Sequence, residues 1–484
     1  MLALFLGCAA QKAPAKSSKK KPVAQAQRLR NGIETFDAAW RIIYDSHFDT
    51  NFNGVDWVAV RDELRPKAKE ATTVGELRKI IEQMLGRLGQ SHMGLIPGSV
   101  ADAFDPEKVR EALASAVRAF SNPSRTNQQS ALRTEEPDDW DAGGSQEGEV
   151  GLDVRLIDSR ILVTRVDADG SAQVAGVRPG WIIESIDHER LSDRLKKLPP
   201  SLESGKARFL AWRMVRSLLQ GRPGTKVQIE CSNEANKPVE LTLERQRAKG
   251  IPAKLGLLPP LRAHLESELL KSPSGARIGL IRFNLFMIPI ASRFDQAIDE
   301  FRGADGIVID LRGNPGGIGG MVMGFAGHFL RERVSLGTMK MRGNEIKFNA
   351  NPRWVNPRGL RVEPFAGPVA ILIDGVSLSA AEIFAGGMQD IGRARVFGET
   401  SPGQALPALW DRLPNGDVLY HAFADYLTGS GTRLEGRGVI PDQPVRITRE
   451  DLLAGRDEPL LAALNWISEQ RESGPKPRSS ASRP

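Results

Sequence analysis

Val369-Ala-Ile-Leu-Ile-Asp-Gly-Val-Ser-Leu-Ser-Ala-Ala-Glu382 is the stretch on which the fold turns. Its opening run, Val369 to Ile373, is uniformly apolar, the pattern of a strand buried on both faces of a parallel sheet. From Ala380 to Asp390 the spacing predicts a helix. A serine at the seam between such a strand and a helix N-terminus is held on a rigid turn. Its hydroxyl is exposed and the next backbone N–H groups point outward, which suits a nucleophile and an oxyanion site. Ser379 stands at that seam. The segment Ser379-Ala-Ala-Glu382 also matches S-x-x-E, a capping box that carries no chemistry, and Ser377 is near enough to compete for the role. Both readings stay open on this segment alone.

Working outward, strands alternate with helices. Arg277 to Phe283 and Gly306 to Leu311 read as strands, Ile290 to Arg302 and Met321 to Leu330 as helices, and Ala394 to Gly398 as a further strand. Such alternation implies βαβ crossovers and a mostly parallel sheet. The expectation is an α/β core over residues 248–470. Residues 150–247 change character, with short strands at Val150 to Val154, Arg160 to Val166, Trp181 to Ile186, Lys226 to Glu230 and Glu240 to Glu244. They predict a small inserted β domain. Residues 28–120 form a helical N-terminal domain, with Phe36, Trp40, Ile43 and then Leu77, Ile81, Met84 and Leu88 at three- and four-residue spacing. Residues 121–149, polar and without apolar periodicity, read as a flexible linker. The fold class is multidomain α/β, with a tether at 1–27 and a disordered tail at 471–484.

A chain of 484 residues exceeds one ordinary core. The net charge of +7 is modest and much of it lies in the tails, which argues against a nucleic-acid partner. No run of about 20 apolar residues exists to span a bilayer. Met1 to Cys8 look like the end of an export signal closing on a lipidated cysteine, although the positively charged n-region is missing. Lipid on Cys8 would tether the chain to a membrane surface, in the periplasm or cell envelope. With lipid on Cys8, Cys231 is the only free thiol left, and a lone thiol cannot form an internal disulfide on which the fold would depend.

Asp310-Leu-Arg-Gly-Asn-Pro-Gly-Gly-Ile-Gly-Gly320 follows a predicted strand and precedes a helix. It lacks the Gly-Lys-Ser/Thr ending of a phosphate-binding loop and the spacing of a dinucleotide fingerprint. Its exposed N–H groups can form an oxyanion hole, or its glycines simply permit a tight turn. Taken together, Asp310 to Gly317, Ser377 to Ile383, Met388-Gln-Asp390 and Gly436-Arg-Gly-Val-Ile-Pro-Asp442 resemble the carboxy-terminal processing (tail-specific) serine proteases. The resemblance runs from about residue 30 to 448. It implies that Ser379 is the nucleophile, with oxyanion donors from the N–H of Ala380 and from Gly316 or Gly317. Ala175-Gly-Val-Arg-Pro-Gly-Trp-Ile-Ile-Glu-Ser-Ile186 resembles a PDZ domain. That implies a peptide-binding loop at Val150, Gly151, Leu152, Asp153 and Val154 that takes a substrate C-terminus by strand addition.

One position departs from the family pattern. Many members carry a lysine base after the serine helix, whereas Gly398-Glu-Thr-Ser-Pro-Gly-Gln-Ala405 has Gln404 in that slot. An amide cannot accept the serine proton, so a Ser–Lys dyad is excluded. Gly86-Arg-Leu-Gly-Gln-Ser-His-Met-Gly94 resembles instead the branch typified by the tricorn core protease, whose base is a histidine. The resemblance implies His92 as general base, with Ser91 and Glu435 orienting and polarising it; which of the two touches the ring is left open. Ser46-His47 repeats the dipeptide and reads as core or surface structure, and Asp390 as a brace for the serine helix. The function implied is an exported serine endopeptidase acting on proteins or peptides with accessible C-termini, with no metal and no organic cofactor. Gln404 motivates an alternative, a catalytically silent PDZ-bearing scaffold or peptide-binding protein, and a hydrolase of non-peptide esters or amides is a third reading.

Overall fold

Three amphipathic helices open the computed structural model, which describes residues 32–98, 148–198, 205–256 and 261–473. The tether with Cys8, residues 99–120 of the helical region, all but the end of the 121–149 segment and the tail beyond Ser473 lie outside the described residues. Helix α1 (Gly32–Ser46), α2 (Trp57–Glu70) and α3 (Val74–Gly86) bury one stripe each. Phe36, Trp40 and Ile43 meet Trp57, Val60 and Leu64 of α2 and Leu77, Ile81 and Met84 of α3, as residues three and four apart share a helix face. Asp56 caps α2 by accepting from the Ala59 N–H (2.9 Å), and Thr73 and Glu76 form a reciprocal capping box on α3. The chain then reverses through Gly89 (φ +65°) and His92 (φ +59°) into strand β1 (Gly94–Ile96).

The inserted region is an antiparallel sheet of β2 (Leu152–Ile157), β3 (Arg160–Val166), β4 (Ile182–Ile186), β5 (Lys226–Ser232) and β6 (Pro238–Glu244), in that spatial order. Strand β2 begins at Leu152 rather than Val150. Gly151 has φ +73°, and a Cβ on it would sit 2.8 Å from the Gly170 Cα. Helix α4 (Gly205–Leu219) lies along β2. The short-strand pattern of this region does not predict a helix there, although its buried Ala207, Ala211, Val215 and Leu219 recur at helical spacing.

The core sheet runs β7 (Leu265–Lys271), β8 (Arg277–Phe283), β9 (Gly306–Asp310), β10 (Val369–Ile373), β11 (Arg395–Gly398) and β14 (Gln443–Pro444). The first pair is antiparallel and the others are parallel. On one face Ile278, Leu280, Val308, Ala370 and Leu372 pack on Ala463, Leu464 and Ile467 of the C-terminal helix Glu458–Ser473. On the other, Ile281, Ile307, Ile309 and Ile371 pack with Phe294 of helix α5 (Ile288–Glu300) and Phe384 of helix α6 (Ala380–Asp390). Both faces of β9 and β10 are covered, which explains their uninterrupted apolar runs. The helix expected over Met321 to Leu330 is shorter, Met321–Ala326, and tightens into a 3₁₀ turn at Gly327–Phe329.

A hairpin not anticipated from the sequence, β12 (Ala408–Arg412) and β13 (Val418–Ala422), pairs with β1 in the order β1–β13–β12. Leu413 and Leu419 of this hairpin complete the core of the three front helices. The helical region is therefore stitched to the α/β core beside the serine helix. Among the described residues no helix is long and apolar enough to cross a membrane.

Candidate active site

Strand β10 delivers the chain into a turn whose polar groups are all committed. The Asp374 carboxylate accepts from the Val376 N–H (2.8 Å) and the Gly313 N–H (3.1 Å). Ser377 is fully buried; its hydroxyl donates to the Leu311 carbonyl (2.8 Å) and accepts from the Asp374 N–H (2.9 Å). That leaves it no freedom to act as a nucleophile.

Ser379 has φ +53° and ψ −117°, a conformation that costs an L residue about 1–3 kcal/mol and persists only where neighbours over-determine it. They do so from two sides. The Ser379 N–H is shared between the Gln404 carbonyl (3.0 Å) and Glu382 Oε2 (3.1 Å). Opposite, Gly316 has φ +90°, and a Cβ there would lie 2.8 Å from the Ser379 Cβ and 2.9 Å from the Ala380 nitrogen. The glycine loop thus packs directly on the serine elbow. The Gly316 N–H donates to Asn314 Oδ1 (2.8 Å), so it is spent inside the loop. Phe286 bonds the Gly316 carbonyl and the Ile318 N–H (both 2.8 Å), which turns the intervening Gly317 N–H the other way. Ala380 is the first residue of α6, where an N–H has no intrahelical acceptor. On hydrogen bonding, Gly317 and Ala380 retain donors and Gly316 does not.

The sequence marks Glu382 only as half of a capping box, and its carboxylate does more than cap. Fully buried, it accepts from the Ser401 hydroxyl (2.6 Å) and from the N–H groups of Gly403 (2.7 Å), Gln404 (2.9 Å) and Ser379 (3.1 Å). Burial pushes its carboxyl up to about 7, against those four donors, which favour the ionised form. The next residue, Ala405, donates its N–H to Glu435 Oε2 (3.0 Å). The single Gln404–Ala405 peptide thereby holds the serine with its carbonyl and Glu435 with its N–H.

Glu435 reaches across to the loop before β1. It accepts from the Ser91 N–H (2.8 Å) and the Ser91 hydroxyl (2.8 Å), and Ser91 Oγ lies 2.7 Å from His92 Nδ1. Ser91 is therefore the residue in contact with the ring, and Glu435 acts through it. His92 is 6% exposed, and its Nε2 is buried without a hydrogen-bond partner. Burial drives the imidazole well below its usual pKa, so it is neutral at neutral pH. Burial likewise raises Glu435, opposed by the Ser91 and Ala405 donors. The other dipeptide, Ser46-His47, is structural: His47 Nε2 bonds Gln90 Oε1 (2.9 Å) and the Ser46 hydroxyl bonds the Ile42 carbonyl (2.6 Å). Asp390 accepts from the Thr428 hydroxyl (2.9 Å) and the Ser430 N–H (2.8 Å), tying the end of α6 to a neighbouring loop.

These contacts join Ser379, Gly316, Gly317, Ala380, Glu435, Ser91 and His92 in one continuous network. Val150, Gly151, Leu152, Asp153 and Val154 are not part of it. Four of them, excepting Gly151, line a cavity of about 470 Å³ bounded on the core side by Asp310, Gly313 and Asp374. Arg155 of β2 spans it, its Nε donating to Asp374 Oδ2 (2.7 Å). Tyr420, whose ring centroid lies 5.6 Å from that of His92, carried no sequence signal, because its place depends on the pairing of Gly94 with Tyr420 across β1 and β13.

The same two regions match known families. Residues 277–445 match the profile of peptidase family S41, and residues 34–86 match the tricorn protease C1 domain. Residues 277–445 therefore form a peptidase family S41 domain. The chain is a serine peptidase, and it is 24% identical over 439 residues to a carboxyl-terminal-processing protease of Synechocystis sp., spanning 89% of this chain and 85% of that protein. It is also 24% identical over 352 residues to the carboxy-terminal processing protease CtpB of Bacillus subtilis, spanning 72% of this chain and 65% of that protein. In fold it is similar to the photosystem II D1 C-terminal processing protease, with a TM-score of 0.52 at 21% identity, covering 86% of this chain and 93% of that one. Mature CPAF is similar too, with a TM-score of 0.55 at 13% identity over 92% of this chain and 97% of that one.

Proposed function

We propose that this S41 peptidase is an endopeptidase that cleaves exported proteins or peptides through an acyl-enzyme on Ser379. His92 Nε2 takes the hydroxyl proton as Ser379 Oγ attacks the scissile carbonyl. The oxyanion forms against the N–H groups of Gly317 and Ala380. His92 then returns the proton to the leaving amine, and a water activated by the same nitrogen hydrolyses the ester. Ser91 holds Nδ1, and Glu435 fixes Ser91 and offsets the charge that develops on the ring.

One observation carries the reading: His92 is a buried, neutral imidazole with Nδ1 engaged and Nε2 free of any partner. A buried polar atom left unsatisfied is costly, and a base kept open for the Ser379 hydroxyl proton accounts for it. Gln404 is used through its backbone, bonding Ser379 and Glu382, so the lysine slot has become a structural strut. Strand β2 stands at one end of its sheet beside α4, an edge to which an extended substrate tail adds in the manner of PDZ domains. Export and a lipid anchor on Cys8 complete the proposal.

A fluorophosphonate probe tests it. Wild-type protein labels on Ser379, denatured protein does not, and His92→Ala loses labelling while keeping its fold. Labelling that survives His92→Ala rejects the base, and no labelling of folded wild-type protein favours the silent scaffold suggested by Gln404.

A further inference from the structure

Beside His92 the small sheet carries a second ring nitrogen with nothing to bond. Gly94 of β1, Tyr420 of β13 and Trp410 of β12 lie directly opposite one another across the three strands. Side chains at directly opposed positions share a face. Gly94 has none, and a Cβ there would meet nothing within 4 Å. The His92 ring packs against Tyr420, tilted 47° at a centroid distance of 5.6 Å. Tyr420 stacks in turn on Trp410, also at 5.6 Å, with the planes 26° apart. The result is one aromatic row, His92–Tyr420–Trp410, running across the strands.

The two ends of the row share a property. His92 Nε2 and Trp410 Nε1 are both buried atoms without a hydrogen-bond partner. Elsewhere the indole is well packed: Gly256, at φ +59°, closes on its six-membered ring, where a Cβ would approach Cε3 to 3.0 Å. Indole N–H groups usually find an acceptor when buried, and a lone buried donor calls for an explanation. The first orphan is explained by the reacting serine. The second is a donor, fixed by packing, on the same face of the same sheet.

We propose that Trp410 is a substrate-binding residue of this peptidase: its Nε1–H donates to a backbone carbonyl of the bound peptide while the partly exposed indole receives an apolar side chain near the scissile bond. The inference rests on the Ser379–His92 reading. It adds a preference for apolar or aromatic residues in the bound segment, because a charged side chain laid on the indole would lose water without gaining a hydrogen-bonding partner. The hairpin that carries Trp410 follows directly from the Gln404–Ala405 segment that holds both Ser379 and Glu435, so substrate, serine and histidine are referenced to one piece of backbone.

The full chain is assayed with fluorogenic peptides bearing either an apolar or an acidic residue beside the cleaved bond. Trp410→Phe keeps the stack and removes only the donor. KM for the apolar peptide should rise about 3- to 10-fold, the worth of one neutral hydrogen bond, with kcat within twofold and the fluorophosphonate labelling rate unchanged. Trp410→Ala should also erode the preference for the apolar peptide. An unchanged KM in Trp410→Phe overturns the inference, as does a parallel loss of labelling, turnover and melting temperature, which marks a purely structural indole. Because labelling reads Ser379 and His92 without the peptide, failure of the catalytic reading appears in wild-type protein and is distinct from failure of this one.

Discussion

Replacing Ser91 by alanine removes a single oxygen that makes two contacts, 2.7 Å to His92 Nδ1 and 2.8 Å to Glu435 Oε2. In the variant, Nδ1 of a ring only 6% exposed has no partner to set its tautomer, and Glu435 keeps only the N–H groups of residue 91 and Ala405. The hydroxyl matters most as the ring gains charge, since only then does the chain from Glu435 through Ser91 stabilise an imidazolium. A hydrogen bond to a charged group is worth about 1.5–3 kcal/mol. At about 1.4 kcal/mol per tenfold, Ser91→Ala should lower kcat/KM roughly 10- to 150-fold, mostly in kcat. Ser91→Thr, which restores a hydroxyl, should recover part of the loss. The double variant with Glu435→Gln should be no worse than the weaker single variant, because the residues act as a unit. Steady-state hydrolysis of a fluorogenic peptide reads the rates, and a thermal melt checks that each variant is folded. A folded Ser91→Ala protein within twofold of wild type would refute the relay and leave His92 oriented by packing alone.

Burial lowers His92 from its ordinary pKa near 6.5, and a base works when neutral. The acid limb of the kcat/KM profile should therefore fall well below pH 6.5, and a limb at or above 6.5 would count against the assignment. By linkage, a histidine depressed in the folded state destabilises the fold as pH falls through 6.5 toward the lower folded value. His92→Gln should therefore flatten any loss of melting temperature over that range. Gly316→Ala places a Cβ 2.8 Å from the Ser379 Cβ at φ +90°; turnover and labelling should drop at least 100-fold, and near-normal activity would show the elbow to be softer than its packing implies. Ser377→Ala strands the Asp374 N–H and the Leu311 carbonyl, so stability should fall by about 1–3 kcal/mol in denaturant titration, while the folded fraction still labels on Ser379.

How much of this was legible follows the range of the forces involved. The apolar runs Val369–Ile373 and Gly306–Asp310, and the three-and-four spacing of Phe36, Trp40 and Ile43, identified buried strands and amphipathic helices correctly. Those patterns are written by neighbours a few residues apart. The short β12–β13 hairpin was not read, since its alternation is weak and its partner strand lies over 300 residues earlier in the chain. Glu382 was visible only as a capping residue. Nothing local announces that Ser401, Gly403 and Gln404 converge on its carboxylate.

The sequence by itself determined which atoms were available: a serine at a strand–helix seam, glycines at turns that need positive φ, an amide where a lysine base would stand, and a Ser-His pair far upstream. Residue type decides what a group can donate or accept, and that does not depend on the fold. Only the tertiary structure decided how those atoms are used. Pairing of β1 with β13 carries His92 to the core, Asn314 removes Gly316 from the oxyanion donors, and Ser91 rather than Glu435 meets the ring. Each outcome depends on hydrogen bonds between segments remote in sequence, whose geometry only the packed chain can set.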